Sequence, residues 1–272
     1  MRFLERLCVL ACASLLAQTA TLPAQNATAP FRWPNGKRVA VSLSFDDARA
    51  SQVDVGVALF DRYATKVTFF VNPPNMNQRL EGWKKAAAAG YEIANHTTSH
   101  PCTGNFPWSR DNALENYTPQ MIAQQMDGAN ADIERMVGVK AVTFAYPCGQ
   151  KFIGRGTATQ SYVPMVAQRF LVGRGFKDED ANDPKFCDLA QVMGTDSDGM
   201  SFDELKAVVV EAAKDGRWVV FAGHEIGASG PQTTLATTLE AFLKYANDPA
   251  NGVWLDTVEK IARYIRAQRG EK

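Results

Sequence analysis

The sequence predicts a single α/β barrel of about seven parallel strands, and three observations carry this. Short apolar, β-branched runs alternate with helical segments from residue 37 to residue 268, which gives a parallel sheet covered by helices. The number of such units favours closure, because a barrel leaves no sheet edge. The residues able to do chemistry fall directly after the strands, where barrels of this kind place their sites. The composition agrees: 272 residues, 46% hydrophobic and 21% charged, suffice for a substantial core and exclude global disorder. Lysine plus arginine number 29, as do aspartate plus glutamate, so no basic excess is present to hold a nucleic acid or an anionic membrane.

Each element has its own signal. Residues 37–45 alternate Val39, Val41, Leu43 and Phe45 and read as the first strand. Residues 53–63 read as a helix. Residues 66–71 form a second strand, stopped by Asn72-Pro73-Pro74. An alanine-rich helix over 80–89 ends at Gly90, and 91–94 is a short third strand. A loop over 101–117 carries Phe106, Trp108 and Tyr117. A helix then starts at Thr118 with Pro119 in its first turn. It lines Met121, Ile122, Met126, Ala129, Ile133, Met136 and Val137 along one face and ends at Gly138. Residues 141–146, 170–173 and 189–193 supply further strands. Ser201 and Glu204 form a capping box for a helix reaching Lys214. Residues 218–222 are a continuous apolar run, the mark of a strand buried on both faces. Residues 233–246 and 256–268 close the chain as helices.

At the start, Arg2 and Arg6 frame an apolar run that begins at Leu7, and Ala17, Ala20 and Ala24 follow it. This reads as a signal peptide over 1–24, a linker over 25–34 and a catalytic domain over 35–270, and the protein is expected to be secreted or periplasmic. Losing Arg2, Glu5 and Arg6 shifts the net charge to −1. Beyond the leader, no apolar run reaches the roughly 18 residues that a membrane span needs. Cys102, Cys148 and Cys187 remain, none in zinc-knuckle spacing, so an oxidising compartment implies one pair and one free thiol.

Asp46-Asp47 follow the first strand, and His96-Thr97-Thr98-Ser99-His100 follow the third. Pro147-Cys148-Gly149 follow the fourth, and Gly223-His224-Glu225 follow the late apolar run. The chain has 3 histidines, and every one stands at a strand end. His96 and His100 are spaced so that one helical turn points both rings the same way. With a carboxylate from the aspartate pair they make a His₂Asp metal site that keeps a position open for water. Nitrogen and oxygen donors suit zinc, with nickel or cobalt able to substitute. Neighbouring residues on an extended chain point apart, so one aspartate can bind metal while the other faces the water. Cys102 and Cys148 follow consecutive strands at the same barrel face. Strands lie about 4.8 Å apart and disulfides span Cα separations of roughly 4.4–6.8 Å, so a Cys102–Cys148 bridge is feasible, with Cys187 a competing partner for either.

In these motifs, over about residues 35–265, the chain resembles the polysaccharide deacetylases of carbohydrate esterase family 4. Ser44-Phe45-Asp46-Asp47 matches the family's first motif, His96 to His100 the second, and Phe221-Ala222-Gly223-His224 the last. The resemblance implies an irregular (β/α) barrel, Asp46 as general base, His224 as general acid, and Asp47, His96 and His100 as metal ligands. Two departures stand out. The third motif, Arg-x-Pro-aromatic-Gly, reads Ala145-Tyr146-Pro147-Cys148-Gly149, so the arginine that braces the catalytic aspartate is missing. Arg155 and Arg174 are the candidates to replace it. The Cys148 backbone N–H can still serve as an oxyanion donor, which needs no particular side chain. The aspartate that orients the acid histidine is assigned to Asp198, with Asp196 second.

The expected activity is metal-dependent removal of N-acetyl groups from a glycan, chitin-like or peptidoglycan-like, with Phe106, Trp108 and Tyr117 available to stack on sugar rings. An O-acetyl ester such as acetylxylan, or a small non-peptide amide, is the alternative substrate. A glycan-binding relic is the third reading, and the full set of ligands, base and acid speaks against it.

Overall fold

A computed structural model describes residues 31–271. Its strands in chain order are β1 (Val39–Asp46), β2 (Thr68–Val71), β3 (Glu92–Asn95), β4 (Thr143–Ala145), β5 (Phe152–Ile153), β6 (Gln160–Ser161), β7 (Val172–Arg174), β8 (Thr195–Asp196), β9 (Trp218–Gly223), β10 (Glu225–Gly227), β11 (Thr233–Leu235) and β12 (Val253–Leu255). Its helices are α1 (Val57–Arg62), α2 (Pro73–Met76), α3 (Leu80–Ala88), α4 (Pro119–Val137), α5 (Val163–Arg169), α6 (Phe202–Lys214), α7 (Ala236–Asn247) and α8 (Val258–Arg269). Seven strands run parallel in the order β7-β4-β3-β2-β1-β9-β8, and β12 joins the start of β1. The residues leading into β8 complete the ring. Val192 forms a parallel bridge with Arg174 of β7, and Thr195 and Asp196 pair with Phe221 and Ala222 of β9. The architecture is the curled, irregular (β/α) barrel expected from the sequence.

Strand parity decides what faces where. Along β1, Val39, Val41, Leu43 and Phe45 join an outer core with Phe60, Phe69, Trp83, Phe221 and Phe242. Ala40 instead joins an inner core with Phe70, Ala94, Ala145, Val172, Trp218 and Val220. A period of two therefore turns Ser42, Ser44 and Asp46 inward as well. Val258, Ile261, Ala262 and Ile265 of α8 pack on this inner core. The first amides of α8 are held at strand starts: Val258 N–H donates to Thr68 Oγ1 and Glu259 N–H to Glu92 Oε2, both at 2.9 Å. A carboxylate beneath a helix N-terminus is favourable, and α8 thereby closes the amino end of the barrel. The carboxyl end is left for the site.

Several expectations need correction. The strand expected at 189–193 lies later, at β8. Asp188 caps a short helical turn over Leu189–Gln191 instead, its side chain accepting from Ala190 N–H at 2.9 Å. The helix expected at 233–246 starts only at Ala236, because residues 233–235 pair in parallel with β10. The last helix runs two residues past its expected start, from Val258. Residues 31–34, expected within the linker, belong to the barrel. Trp33 is buried, donates to Gly216 O at 2.8 Å and stacks with Tyr264 beside Phe31. Two neighbouring aromatics gain too much from burial to remain solvated. Residues 1–24, expected as a signal peptide, and residues 25–30 lie outside the described residues.

Candidate active site

β1 delivers Asp46 at its last position, buried and inward. The chain then turns sharply, with φ of 75° at Asp47 and 52° at Ala48. The two carboxylates are thus separated by a left-handed turn rather than by the extended chain expected. Asn75 Nδ2 holds the turn by donating to Asp47 O at 2.9 Å.

The histidine loop is not helical. Thr97 and His100 have φ of 63° and 50°, so the helical turn expected for the HxxxH spacing is replaced by a kinked loop. A β-branched residue at positive φ costs on the order of 1–3 kcal/mol and needs outside support. Asn72 Nδ2 donates to the carbonyls of His96 and Thr97 at 2.6 and 2.9 Å, and Thr97 N–H donates to Asn95 Oδ1 at 2.8 Å. The loop brings His96 Nε2 and His100 Nε2 to 3.6 and 3.5 Å from Asp47 Oδ1. Donor atoms on a tetrahedral ion with bonds of about 2.0–2.1 Å lie about 3.4 Å apart, so the three residues fit a zinc-type ion without rearrangement. His96 Nδ1 lies 2.9 Å from Ala145 O, which places the ring proton there and leaves Nε2 free to ligate. Burial pulls the His100 pKa down to about 4, with the charge of His96 adding to the effect, so the ring is neutral as ligation requires. Arg49 holds the other oxygen of Asp47, Oδ2, at 2.9 Å.

Arg174 replaces the missing motif arginine, and Arg155 does not. The Arg174 guanidinium is fully buried, donates to Asp46 Oδ1 and lies over the Phe70 ring, 4.9 Å from its centroid. Arg155 is bound instead to Asn116 at 3.0 Å. The register explains the substitution: Arg174 is the direct cross-strand partner of Ala145, where the motif arginine would stand. The charge has moved one strand sideways at the same height. Burial opposes ionisation of Asp46, but the charges of Arg174, His96 and His224 outweigh it and hold the carboxyl below its usual range.

Cys148 sits at φ of 54° in the turn after β4, and Cys102 and Cys148 are disulfide-bonded with Cα atoms 6.0 Å apart. The bridge ties the His100 loop to this turn. Gly149 and Gln150 N–H are spent on Tyr146 O and Pro147 O at 2.8 and 3.0 Å, bonds that do not use the Cys148 N–H.

β9 delivers His224 one residue past its end. His224 Nδ1 lies 2.6 Å from Asp198 Oδ2, and its backbone N–H donates to Asp198 Oδ1 at 3.1 Å. Asp196 does not reach it; it accepts from Asp198 N–H at 3.1 Å and faces Lys177. Burial works against a charged His224, yet the hydrogen bond to Asp198 and the charges of Asp46 and Asp47 prevail and raise its pKa. Gly223 is required here, because a Cβ would meet Thr234 Oγ1 at 2.5 Å and Ser197 Oγ at 2.8 Å. Thr234 Oγ1 also donates to Asp198 at 3.0 Å.

Gln52, Thr234 and Asn72 carried no sequence signal. Gln52 is fully buried and its Nε2 donates to Asp46 O at 2.6 Å and His224 O at 2.9 Å, joining the ends of β1 and β9. Asp46, Asp47, His96, His100, Cys148 and His224 line a cleft of about 790 Å³, with the stacked rings of Phe106 and Trp108 on its rim. Tyr117, expected beside them, is buried among Leu114, Ile122 and Tyr146.

Fold and cluster together define an α/β barrel whose cleft gathers Asp47, His96 and His100, three residues able to hold a metal ion. The family model for polysaccharide deacetylase matches residues 27–160, just under half of the chain. Among solved structures it is similar to a putative polysaccharide deacetylase from Mycobacterium smegmatis, with 19% identity and a TM-score of 0.64 over 89% of this chain and 94% of that one. It is also similar to a family 4 acetyl xylan esterase from Clostridium thermocellum in complex with a cobalt ion, with 16% identity and a TM-score of 0.54 over 86% and 93%. A gellan lyase from Bacillus sp. is 29% identical over 141 residues, 52% of this chain, and the match spans 5% of the lyase's length.

Proposed function

We propose that the protein is a metal-dependent hydrolase that removes N-acetyl groups from a sugar polymer outside the cytosol, after residues 1–24 have directed its export. The observation that carries this is convergence. A buried, arginine-braced Asp46, the donors Asp47, His96 and His100, and an aspartate-backed His224 all face one cleft. Asp47, His96 and His100 would hold the ion, zinc for preference. When bound, such an ion polarises an acyl carbonyl and acidifies water. Asp46, ionised and held by Arg174, takes the proton of the attacking water. The Cys148 N–H meets the oxyanion. His224, protonated and oriented by Asp198, donates to the departing amine, which needs such an acid more than an alkoxide does. Phe106 and Trp108 offer a face for a sugar ring.

Acetate release is the test, measured on chitin oligomers, peptidoglycan and acetylxylan with and without chelator. Release from an N-acetylated polymer that chelator abolishes supports the reading. Release from acetylxylan alone replaces the amide by an ester, and release unaffected by chelator removes the metal.

A further inference from the structure

We propose that Cys102, Cys148 and the Nδ1 nitrogen of His100 form a second metal site, one that exists only when the Cys102–Cys148 disulfide is reduced. His100 presents its two ring nitrogens to two different donor sets. Nε2 faces Asp47 Oδ1 at 3.5 Å, and Nδ1 lies 3.6 Å from Cys102 Sγ. One donor atom from each of His100, Cys102 and Cys148 falls within 4.8 Å of the others. A tetrahedral ion bonded to sulfur at ~2.3 Å and to imidazole nitrogen at ~2.0–2.1 Å sets those donors about 3.6 Å apart, so His100 and Cys102 already stand at chelating separation. Cys102 is fully buried while Cys148 lines the cleft, so a reductant reaches the bond through Cys148.

The chemistry balances with a dithiol as reductant. It supplies two electrons and two protons, the S–S bond breaks, Cys102 and Cys148 become thiols, and the reductant leaves as its own disulfide. A soft or borderline ion such as zinc or cadmium then displaces both thiol protons and is held by two sulfurs and one nitrogen, with solvent completing the set. A neutral imidazole offers a lone pair on one nitrogen and carries its proton on the other. Coordination through Nδ1 therefore puts the proton on Nε2, which then has no lone pair to share with an ion held by Asp47 and His96. The disulfide shields the hydrolytic donor set from capture by thiolates. The inference rests on the proposed hydrolytic site only through this shared residue.

The experiment uses the full chain with Cys187→Ser, freed of metal, titrated with cobalt(II) in its oxidised form and after reduction by a phosphine. The oxidised protein is expected to show only the weak ligand-field bands of nitrogen and oxygen donors. The reduced protein gains intense sulfur-to-cobalt charge-transfer absorption, and adding Cys102→Ser and Cys148→Ser abolishes it. A reduced protein without that absorption, one that keeps it in the double-serine variant, or one that has lost its cooperative thermal transition overturns the proposal. An oxidised protein that binds no cobalt refutes the Asp47–His96–His100 reading instead, and the charge-transfer absorption of the reduced form still decides this one.

Discussion

The guanidinium of Arg174, at the end of β7, is hydrogen-bonded to the carboxylate of Asp46, at the end of β1, 128 positions earlier in the chain. Both side chains are buried, and the arginine stands beside Ala145, where the family motif carries its own. A neighbouring strand thus supplies the charge that the motif lost.

Removing that charge has two consequences. Arg174→Met leaves a buried carboxylate without its partner, which costs about 3–5 kcal/mol. Denaturant unfolding measures this loss. The same change raises the Asp46 pKa, so the acid limb of kcat/KM moves to higher pH. Restoring an arginine at the register partner, as Ala145→Arg with Arg174→Ala, is expected to return part of both. A double variant no better than Arg174→Ala would show that height on the barrel is not what matters.

The pH profile follows from two opposed shifts. Asp46 works ionised and its pKa is lowered, so activity persists below the usual carboxylate range before falling with acid. His224 works protonated and its pKa is raised, so the alkaline limb lies above the ordinary imidazole value of about 6.5. Asp198→Asn removes the hydrogen-bonded charge, and the alkaline limb is expected to drop to lower pH while the acid limb stays. An unmoved alkaline limb would separate Asp198 from the acid function.

Metal retention and turnover divide between the adjacent aspartates. Elemental analysis is expected to find stoichiometric metal in the parent protein and in Asp46→Asn, and little in His96→Ala or Asp47→Asn. Asp46→Asn is expected to lose about 10²–10⁴ in kcat as a general base. Metal kept by His96→Ala would reassign the ligands.

Gln52 is a positioning residue, bonded to the carbonyls of Asp46 and His224 and to no substrate group. Gln52→Leu keeps the volume and drops the tie between β1 and β9. Misplacement of this kind costs about 10²-fold, and it is expected in kcat with KM and bound metal little changed. Equal losses of KM, metal and kcat would point to general damage.

The sequence carried the site's first members plainly. Asp46, Asp47, His96, His100 and His224 stand at strand ends because parity and strand termination are local properties, visible as alternation and as breaks. Residues chosen by distant partners were not legible. Arg174 could be named only as one of two candidates, because cross-strand register belongs to the pairing and not to either segment. Gln52 opens a π-helical stretch, Gln52–Gly56, that runs into α1, and nothing in its local pattern points to partners 6 and 172 positions away. The 96–100 loop misled for a physical reason. A spacing of four fits a helix, but Asn72 and Asn95 bind the loop's backbone in a conformation that brings the same rings together without one. The short strands β8 and β11 carry two or three residues each, too few for a period to emerge.

The closure of the barrel is uneven. β1 and β9 are joined over six residue pairs, whereas β7 meets the segment before β8 through Val192, bonded to Gly173 O and Gly175 N–H at 2.8 and 2.7 Å, with Asp178 N–H on Gly194 O at 3.0 Å beyond. Gly173 lets the strands come this close, since a Cβ there would meet Ala190 O at 2.5 Å. The ring therefore behaves as a stiff hoop fastened by a clasp. Phe176 and Lys177, on the cleft side of that clasp, stand on its compliant arc. Asp46, His96 and His224 stand on the rigid one. Whatever widens the cleft for a bulky chain strains three backbone bonds at the clasp before it strains the six residue pairs that hold β1 and β9 together.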